Sequence, residues 1–281
     1  MRSALSVTAK PPVVAGVGEL PGSLLTVDAA AAEAVRRGVA LTLVRARRHE
    51  PGAPPADPTA APATLTRGRD LLDLAAHRVR TQAPGLPVTT EWTRDSPVSA
   101  LLHHSTSACL LVTGHHDTAG PASAWGSTTT QLSRLSACPL LVCRGPACRY
   151  GPVVAVADNH SAILDTAYDI AVRDGSPLIV VDMQTAVPAD SPRSSPPAGD
   201  VADVIDRWRS NRPQPQVDRV VVTESDLIHT VARASWRGRL LIGGLDSTGT
   251  LTDLFRQSTS LLPIGQRLCP VLLLPLSRPA G

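Results

Sequence analysis

Short apolar runs alternate with segments of helical periodicity through the first half of the chain. The apolar runs predict β-strands at 13–17, 39–44, 88–92, 110–113 and 139–143. The segments between them repeat apolar residues every three to four positions, and they predict helices at 23–37, at 64–82, from Asp95-Ser96-Pro97 onward and after Gly126. This alternation is typical of an α/β domain in which right-handed crossovers build a parallel sheet.

The same order of elements restarts in the second half. Strands are predicted at 153–157, 178–181, 217–222, 240–242 and 270–275, and helices at 161–173, 201–209 and 225–236. The proline-rich segments 49–62 and 188–199 lack periodicity and predict loops at the same place in each half. The restart indicates an internal duplication, with domains at 8–145 and 151–277. Each is predicted to be an α/β fold with a five-stranded parallel sheet and helices on both faces.

Two stretches at equivalent places carry the candidate chemistry. Leu110–Arg144 and Leu240–Pro275 each contain an apolar strand, a glycine, a polar loop, a helical segment and a Cys-Pro pair that opens another apolar strand. In the first stretch a hydroxyl residue follows Gly126 at the predicted helix start. Free backbone N–H groups at such a start can hold an anion.

These stretches resemble the universal stress protein family, whose domains carry a loop of pattern G-x2-G-x9-G-[ST] before a helix and a Cys-Pro strand. The resemblance covers nearly the whole chain and implies two tandem Rossmann-like domains. In members of that family that bind ATP, the adenosine lies against an Asp after the first strand and against the end of the second strand. The phosphates lie along the glycine loop.

The resemblance therefore implies ATP or AMP as a ligand and names candidate nucleotide-binding residues in each half. In the first half they are Val44, Gly114, Gly126, Ser127 and Thr128, and in the second half they are Asp158, Val181, Gly243 and Ser258.

Both halves depart from the family pattern. In the first, Asp117 stands at the second glycine position, the spacing to Gly126 is one residue short, and Gly18 replaces the aspartate. In the second, Asp158 is kept, but Asp246 takes the second glycine position and Arg256-Gln257-Ser258 replaces the final Gly-Ser neighbourhood. At this position glycine lets a phosphate approach the backbone closely, whereas a carboxylate repels the phosphate.

Two hypotheses follow from these departures. In the first, nucleotide still binds weakly, and the chain is an ATP- or AMP-dependent switch. In the second, which we favour, the chain is a non-catalytic regulatory module of the stress response with degenerate nucleotide sites, because each lost contact costs about 1–3 kcal/mol. The chain lacks a G-x-S-x-G elbow and an evident acid–base pair of carboxylates, so we expect no enzyme activity.

Composition narrows the classes of partner that the chain is expected to bind. The chain is 43% hydrophobic and 18% charged, and its formal charge of +3 is spread along the sequence. A nucleic-acid-binding face would concentrate that charge, so no such partner is expected. No apolar run approaches the roughly 20 residues of a membrane span. The five cysteines lack metal-ligand spacing and fit buried thiols in a reducing compartment, which predicts a cytoplasmic protein.

Several local motifs allow other interpretations. GGLDST at 243–248 resembles the phosphate loop of ATP pyrophosphatases, but fewer than forty residues follow it. His115-His116-Asp117 suggests a metal, although adjacent ligands in one loop rarely face one ion. Cys138 and Cys269 suggest redox sensors, although their place before an apolar strand favours packed thiols. The hydroxyls at 127–130 and 258–260 suggest phosphorylation, although helix capping is their ordinary role.

The closing apolar strands, PLLVC and PVLLL, are candidate sheet edges, and exposed apolar edges require a partner. In the family that the chain resembles, such strands pair across a two-fold axis. The sequence therefore predicts an intramolecular pseudo-dimer of the two domains, with a further homodimer and an unidentified protein partner left open.

Overall fold

A computed structural model describes residues 10–19, 22–46, 61–114, 127–145, 150–157, 161–183, 201–211, 215–245, 253 and 268–275. The chain divides into two compact units, residues 1–114 and residues 115–281. The domain limits expected from the sequence, 8–145 and 151–277, stay a prediction.

The first unit alternates strands and helices in the predicted order. Its elements are β1 (Val13–Gly16), α1 (Ser23–Arg37), β2 (Leu41–Ala46), α2 (Ala61–Gln82), β3 (Val88–Thr93), α3 (Pro97–Ser105) and β4 (Leu110–Gly114). The strands run parallel in the order β3-β2-β1-β4. Because the chain moves outward from β1 to β3 and then returns to β4, right-handed crossovers place α1 and α2 on one face and α3 on the other.

Local signals explain where two of these helices begin and end. α1 ends at Gly38, which has a φ of 63° and donates its N–H to Val35 O at 3.1 Å. α3 begins after Ser96, whose hydroxyl accepts a hydrogen bond from the N–H of Ser99 at 3.1 Å, with Pro97 in the first turn. Both boundaries were predicted from the sequence and are confirmed.

The second unit contains the remaining elements. They are α4 (Ser127–Leu135), β5 (Leu140–Cys143), β6 (Val153–Ala157), α5 (Ser161–Asp174), β7 (Leu178–Met183), α6 (Val201–Asn211), β8 (Val217–Val222), α7 (Glu224–Arg237), β9 (Leu240–Leu245) and β10 (Val271–Pro275).

The sheet of the second unit repeats the strand order of the first. Strands β8-β7-β6-β9 follow the same order as β3-β2-β1-β4, and β10 adds a fifth parallel strand beside β9. This confirms the α/β class and the five-stranded parallel sheet predicted for the second half. β5 was predicted to close the first half, and it lies in the second unit antiparallel to β10, with Leu141 opposite Leu272.

The predicted limits of β2 and the predicted end of β9 were wrong. β2 begins at Leu41, because the N–H of Val39 is used to close the end of α1 through Ala34 O at 3.1 Å. It also extends to Ala46, because its last residues pair with β3. The loop predicted to begin at Gly243 begins later, since Gly243 and Gly244 lie inside β9 and pair with β10. The strand partner, and not the glycine, determines where β9 ends.

The thiols of the described residues are packed in the protein interior. Cys138, Cys143 and Cys269 are buried, and Cys109 is half-buried. Burial raises the pKa of the Cys143 thiol to about 12, so this thiol stays protonated at neutral pH. Among the described residues, no helix combines the length and the apolar character that a membrane span requires.

We expect Leu272→Ala in β10 to lower the free energy of unfolding by about 2–5 kcal/mol, because it leaves a cavity where the Leu272 side chain is buried against β5. Urea unfolding followed by circular dichroism measures the change. Val172→Ala on the exposed side of α5 is the control and should change the value by less than about 0.5 kcal/mol. A similarly small effect of Leu272→Ala would contradict the role of β10 as a core strand.

Candidate functional site

The carboxyl ends of β1, β2 and β4 lie at one edge of the parallel sheet in the first unit, where ligands bind in open α/β folds. Val44 and Gly114, two of the predicted residues, lie at this edge. Ser127 begins α4 and Thr128 follows it half-buried, as predicted for the helix start. Gly126 and the side chain of Ser127 lie outside the described residues.

Val44 contributes backbone to this edge. Its side chain is buried, it lies opposite Gly16, and its carbonyl accepts a hydrogen bond from the N–H of Val17 at 2.8 Å. The Val44 side chain therefore belongs to the core.

Arg45, which the sequence prediction missed, occupies the corner between the ends of β1 and β2. Its Nη1 donates to Gly18 O at 2.6 Å and to Val17 O at 3.3 Å, and its Nη2 donates to Glu19 Oε1 at 2.6 Å. The side chain is only 13% exposed. Its guanidinium thus lies on the loop after β1, against which the family resemblance places an adenosine.

Arg45 also lies close to Trp92 of β3 and to Gly68 of α2. Arg45 is opposite Trp92 in the β2–β3 pair, and α2 approaches both residues through Gly68. A Cβ atom on Gly68 would lie 2.5 Å from Trp92 Nε1 and 3.7 Å from Arg45 Nε. A larger residue at position 68 would therefore displace the Trp92 side chain.

The loop after β1 is closed by its own hydrogen bonds. The buried hydroxyl of Ser23 accepts from the N–H of Gly18 at 2.8 Å and donates to Glu19 O at 3.1 Å. Gly18 stands where the family pattern has an aspartate. Because its N–H and its carbonyl are both engaged, this residue offers little to a ligand.

The end of β4 brings Gly114 against α1. A Cβ atom on Gly114 would lie 2.4 Å from Thr26 Oγ1, so this close approach requires glycine. Thr26 Oγ1 and Thr113 Oγ1 are both buried and have no hydrogen-bond partner in the described part of the chain. They are polar groups near this edge that retain hydrogen-bonding capacity.

The second half places an ion pair at the position equivalent to Arg45. Counting from Leu41 in β2 and Leu178 in β7, Arg45 and Asp182 are both the fifth residue of their strand. The buried carboxylate of Asp182 accepts from Arg219 Nε at 2.9 Å, and Nη2 of the same arginine donates to the same oxygen. Arg219 comes from β8, so this contact joins two neighbouring strands.

Two of the candidate residues of the second half lie within the described structure. Val181 is buried inside β7 and Gly243 is buried inside β9, with β6 between those two strands. Asp158 and Ser258 lie outside the described residues. The contact between Asp182 and Arg219 was not predicted from the sequence, because it joins positions that are 37 residues apart.

Comparisons with known proteins agree with this architecture. Residues 11–144 match the model of the universal stress protein family. The crystal structure of a universal stress protein from Archaeoglobus fulgidus DSM 4304 is 12% identical and has a TM-score of 0.71, over 95% of this chain and 97% of its own. A functionally unknown protein from Pseudomonas aeruginosa PAO1 is 16% identical with a TM-score of 0.60, over 95% of this chain and 93% of its own.

A shorter structure, a universal stress protein in complex with cAMP, is 22% identical with a TM-score of 0.39, over 49% of this chain and 99% of its own. No curated protein matches the chain. At these identities the structural likeness establishes the fold.

We expect Gly114→Ala to lower the free energy of unfolding by about 1–3 kcal/mol, because the added methyl group overlaps Thr26 Oγ1. Adding Thr26→Ala removes that oxygen and should restore part of the loss, with a coupling of about 1 kcal/mol in a double-mutant cycle. Chemical unfolding measures both. Thr81→Ala, on an exposed turn of α2, is the matched control and should combine additively with Gly114→Ala. Additivity of Gly114→Ala with Thr26→Ala would refute the contact.

Proposed function

We propose that the chain is a non-catalytic regulatory binding protein of the stress response with degenerate nucleotide sites, in keeping with the match of residues 11–144 to the universal stress protein family. The observation that carries the proposal is the position of Arg45, whose guanidinium binds the backbone after β1 at the corner where adenosine would lie.

Displacing Arg45 would be costly for a nucleotide. The guanidinium hydrogen bonds to Val17 O, to Gly18 O and to the carboxylate of Glu19, and bonds of this charged kind contribute roughly 1.5–3 kcal/mol each. The aspartate that would repay part of this cost is replaced by Gly18. An adenosine that entered this corner would therefore break hydrogen bonds of Arg45. It would not gain the contact with an aspartate that orients it in the family pattern.

The second half supports the same conclusion through a different contact. Asp182 and Arg219 satisfy each other at the position equivalent to Arg45. Separating the pair would leave the buried carboxylate of Asp182 without its cation, which is unfavourable. In both halves the fifth residue of the second strand is thus engaged within the protein, which supports the proposed loss of nucleotide binding.

A nucleotide-dependent switch remains the second candidate. It is favoured by the start of α4 at Ser127, where the family pattern places the phosphate-binding helix, and by the retained Gly114. In this alternative, ATP or AMP would bind with its phosphates along the glycine loop, and Arg45 would move off the backbone carbonyls when the nucleotide enters.

In the proposed function, the chain acts by binding to other proteins. The antiparallel pairing of β5 with β10 supports an intramolecular pseudo-dimer of the two copies. This pseudo-dimer could associate with a second chain to form a homodimer, or it could bind another protein. The buried thiols of the described residues support a reducing compartment, and we place the protein in the cytoplasm.

We expect the wild-type chain to show no saturable binding of ATP, AMP or cyclic AMP below about 10 μM in calorimetric titration. Arg45→Ala removes the guanidinium from the corner and should tighten ATP binding at least about tenfold, a gain of about 1.4 kcal/mol. Arg37→Ala, which removes an exposed arginine on α1 paired with Glu33, is the control and should behave like the wild type.

Saturable wild-type binding below about 10 μM would favour the nucleotide switch over the proposed function. Unchanged ATP affinity in Arg45→Ala would show that Arg45 is not the obstacle to binding.

We also expect prolonged incubation of the protein with ATP and Mg²⁺ to form no ADP or AMP above a protein-free blank, as measured by anion-exchange chromatography. The described residues lack an acid–base pair at the strand ends, since Asp182 is held by Arg219 and Glu19 is held by Arg45. Product formation that rises with protein concentration would contradict a non-catalytic role.

A further inference from the structure

The antiparallel pair β5–β10 carries no hydrophobic pattern that could set its register. Every side chain of Leu140–Cys143 is buried, and so are those of Val271, Leu272, Leu273 and Leu274. Because both faces of both strands are apolar, sliding one strand along the other keeps the same chemistry on each face. The apolar pattern alone therefore does not specify that Leu141 lies opposite Leu272.

Arg144, the residue that follows β5, makes a polar interaction across this pair. It is 6% exposed, and its Nε donates to the carbonyl of Cys269 at 2.9 Å. Its Nη2 donates to the hydroxyl of Ser235 at 3.1 Å. Ser235 is fully buried on α7, so one guanidinium joins the end of β5 to the start of β10 and to a helix.

The register of the strands explains why Cys269 accepts this bond. Val142 lies opposite Val271, so continuing the pair by two residues places Arg144 opposite Cys269. Pro270 has no N–H to donate to β5. The N–H of Cys269 is already directed to Ser235 O at 2.9 Å. The side chain of Arg144 therefore contacts its own cross-strand partner at the point where the backbone ladder stops.

The opposite end of the pair has different side chains. The same register places Cys138 opposite Pro275, which has no side-chain donor. The carbonyl of Cys138 accepts a hydrogen bond from the Ser136 hydroxyl of its own segment at 2.8 Å. The cross-strand hydrogen bond from a guanidinium lies at the Arg144 end of the pair.

We propose that Arg144 sets the register of the β5–β10 pair by binding the carbonyl of Cys269. A slip of two residues would place Leu141 opposite Leu274 and would keep every strand contact apolar. It would also carry the guanidinium away from Cys269 O and Ser235 Oγ. A buried arginine that loses its acceptors is strongly disfavoured, so the native register is selected. This inference concerns strand pairing and is independent of nucleotide binding.

The register can be measured by cross-strand amide–amide NOEs on the deuterated full chain. The native register brings Leu141 near Leu272, and the slipped register brings Leu141 near Leu274. In Arg144→Met, which keeps the length of the side chain without its donors, the slipped population should rise at least tenfold, equivalent to about 1.4 kcal/mol.

Two further variants complete the experiment. Arg134→Met makes the same change on α4, where the arginine is 41% exposed and 3.9 Å from Asp253, and it should leave the register unchanged. Ser235→Ala removes one acceptor and keeps the bond to Cys269, so it should raise the slipped population in the same direction by a smaller factor. If Arg144→Met does not fold, Ser235→Ala decides the outcome.

A slipped population that stays at the wild-type value in a folded Arg144→Met would overturn the proposal, whatever the change in overall stability. The same holds for an unchanged population in Ser235→Ala when Arg144→Met is unfolded. Loss of stability without register exchange would show that Arg144 only adds binding energy between the strands.

Discussion

Burial of both faces of the central parallel strands is the constraint on which the rest of this structure depends. The central strands are largely apolar in both units, with fully buried residues that include Val13, Leu41, Leu110, Val153, Leu178 and Leu241. Interiors of this kind provide stability but no chemistry. The polar side chains that contact neighbouring segments lie instead near the ends of these strands and on the outer strands β3 and β8.

Backbone carbonyls at these strand ends allow arginine to be buried. Arg45 binds the carbonyls of Val17 and Gly18, and Arg144 binds the carbonyl of Cys269. A carbonyl beyond the last ladder hydrogen bond needs a donor, and a guanidinium has five N–H groups in a planar arrangement. A guanidinium bound to strand-end carbonyls therefore has two effects. Between β1 and β2 it occupies the space beside the loop after β1, and between β5 and β10 it supports strand pairing.

The sequence predicted the elements and the parallel sheet because hydrophobic periodicity and crossover handedness are local or general rules. It could not predict Arg45, whose acceptors belong to a loop 27 residues away, or the pairing of Asp182 with Arg219 across 37 residues. The strand that contains Gly243 was predicted to end too early for a related reason, since the length of β9 depends on β10. The surroundings of Val44 and Gly114 likewise depend on residues distant in sequence and required coordinates.

The two halves differ in charge at an equivalent position near the sheet edge. The fifth residue of the second strand is the cation Arg45 in one half and the anion Asp182 in the other. A ligand group that hydrogen bonds to a guanidinium must be an acceptor, whereas one that binds a carboxylate must be a donor. A ligand that reached both side chains would therefore need a different group for each. In each half the side chain is engaged within the protein instead, with Glu19 in the first half and with Arg219 in the second.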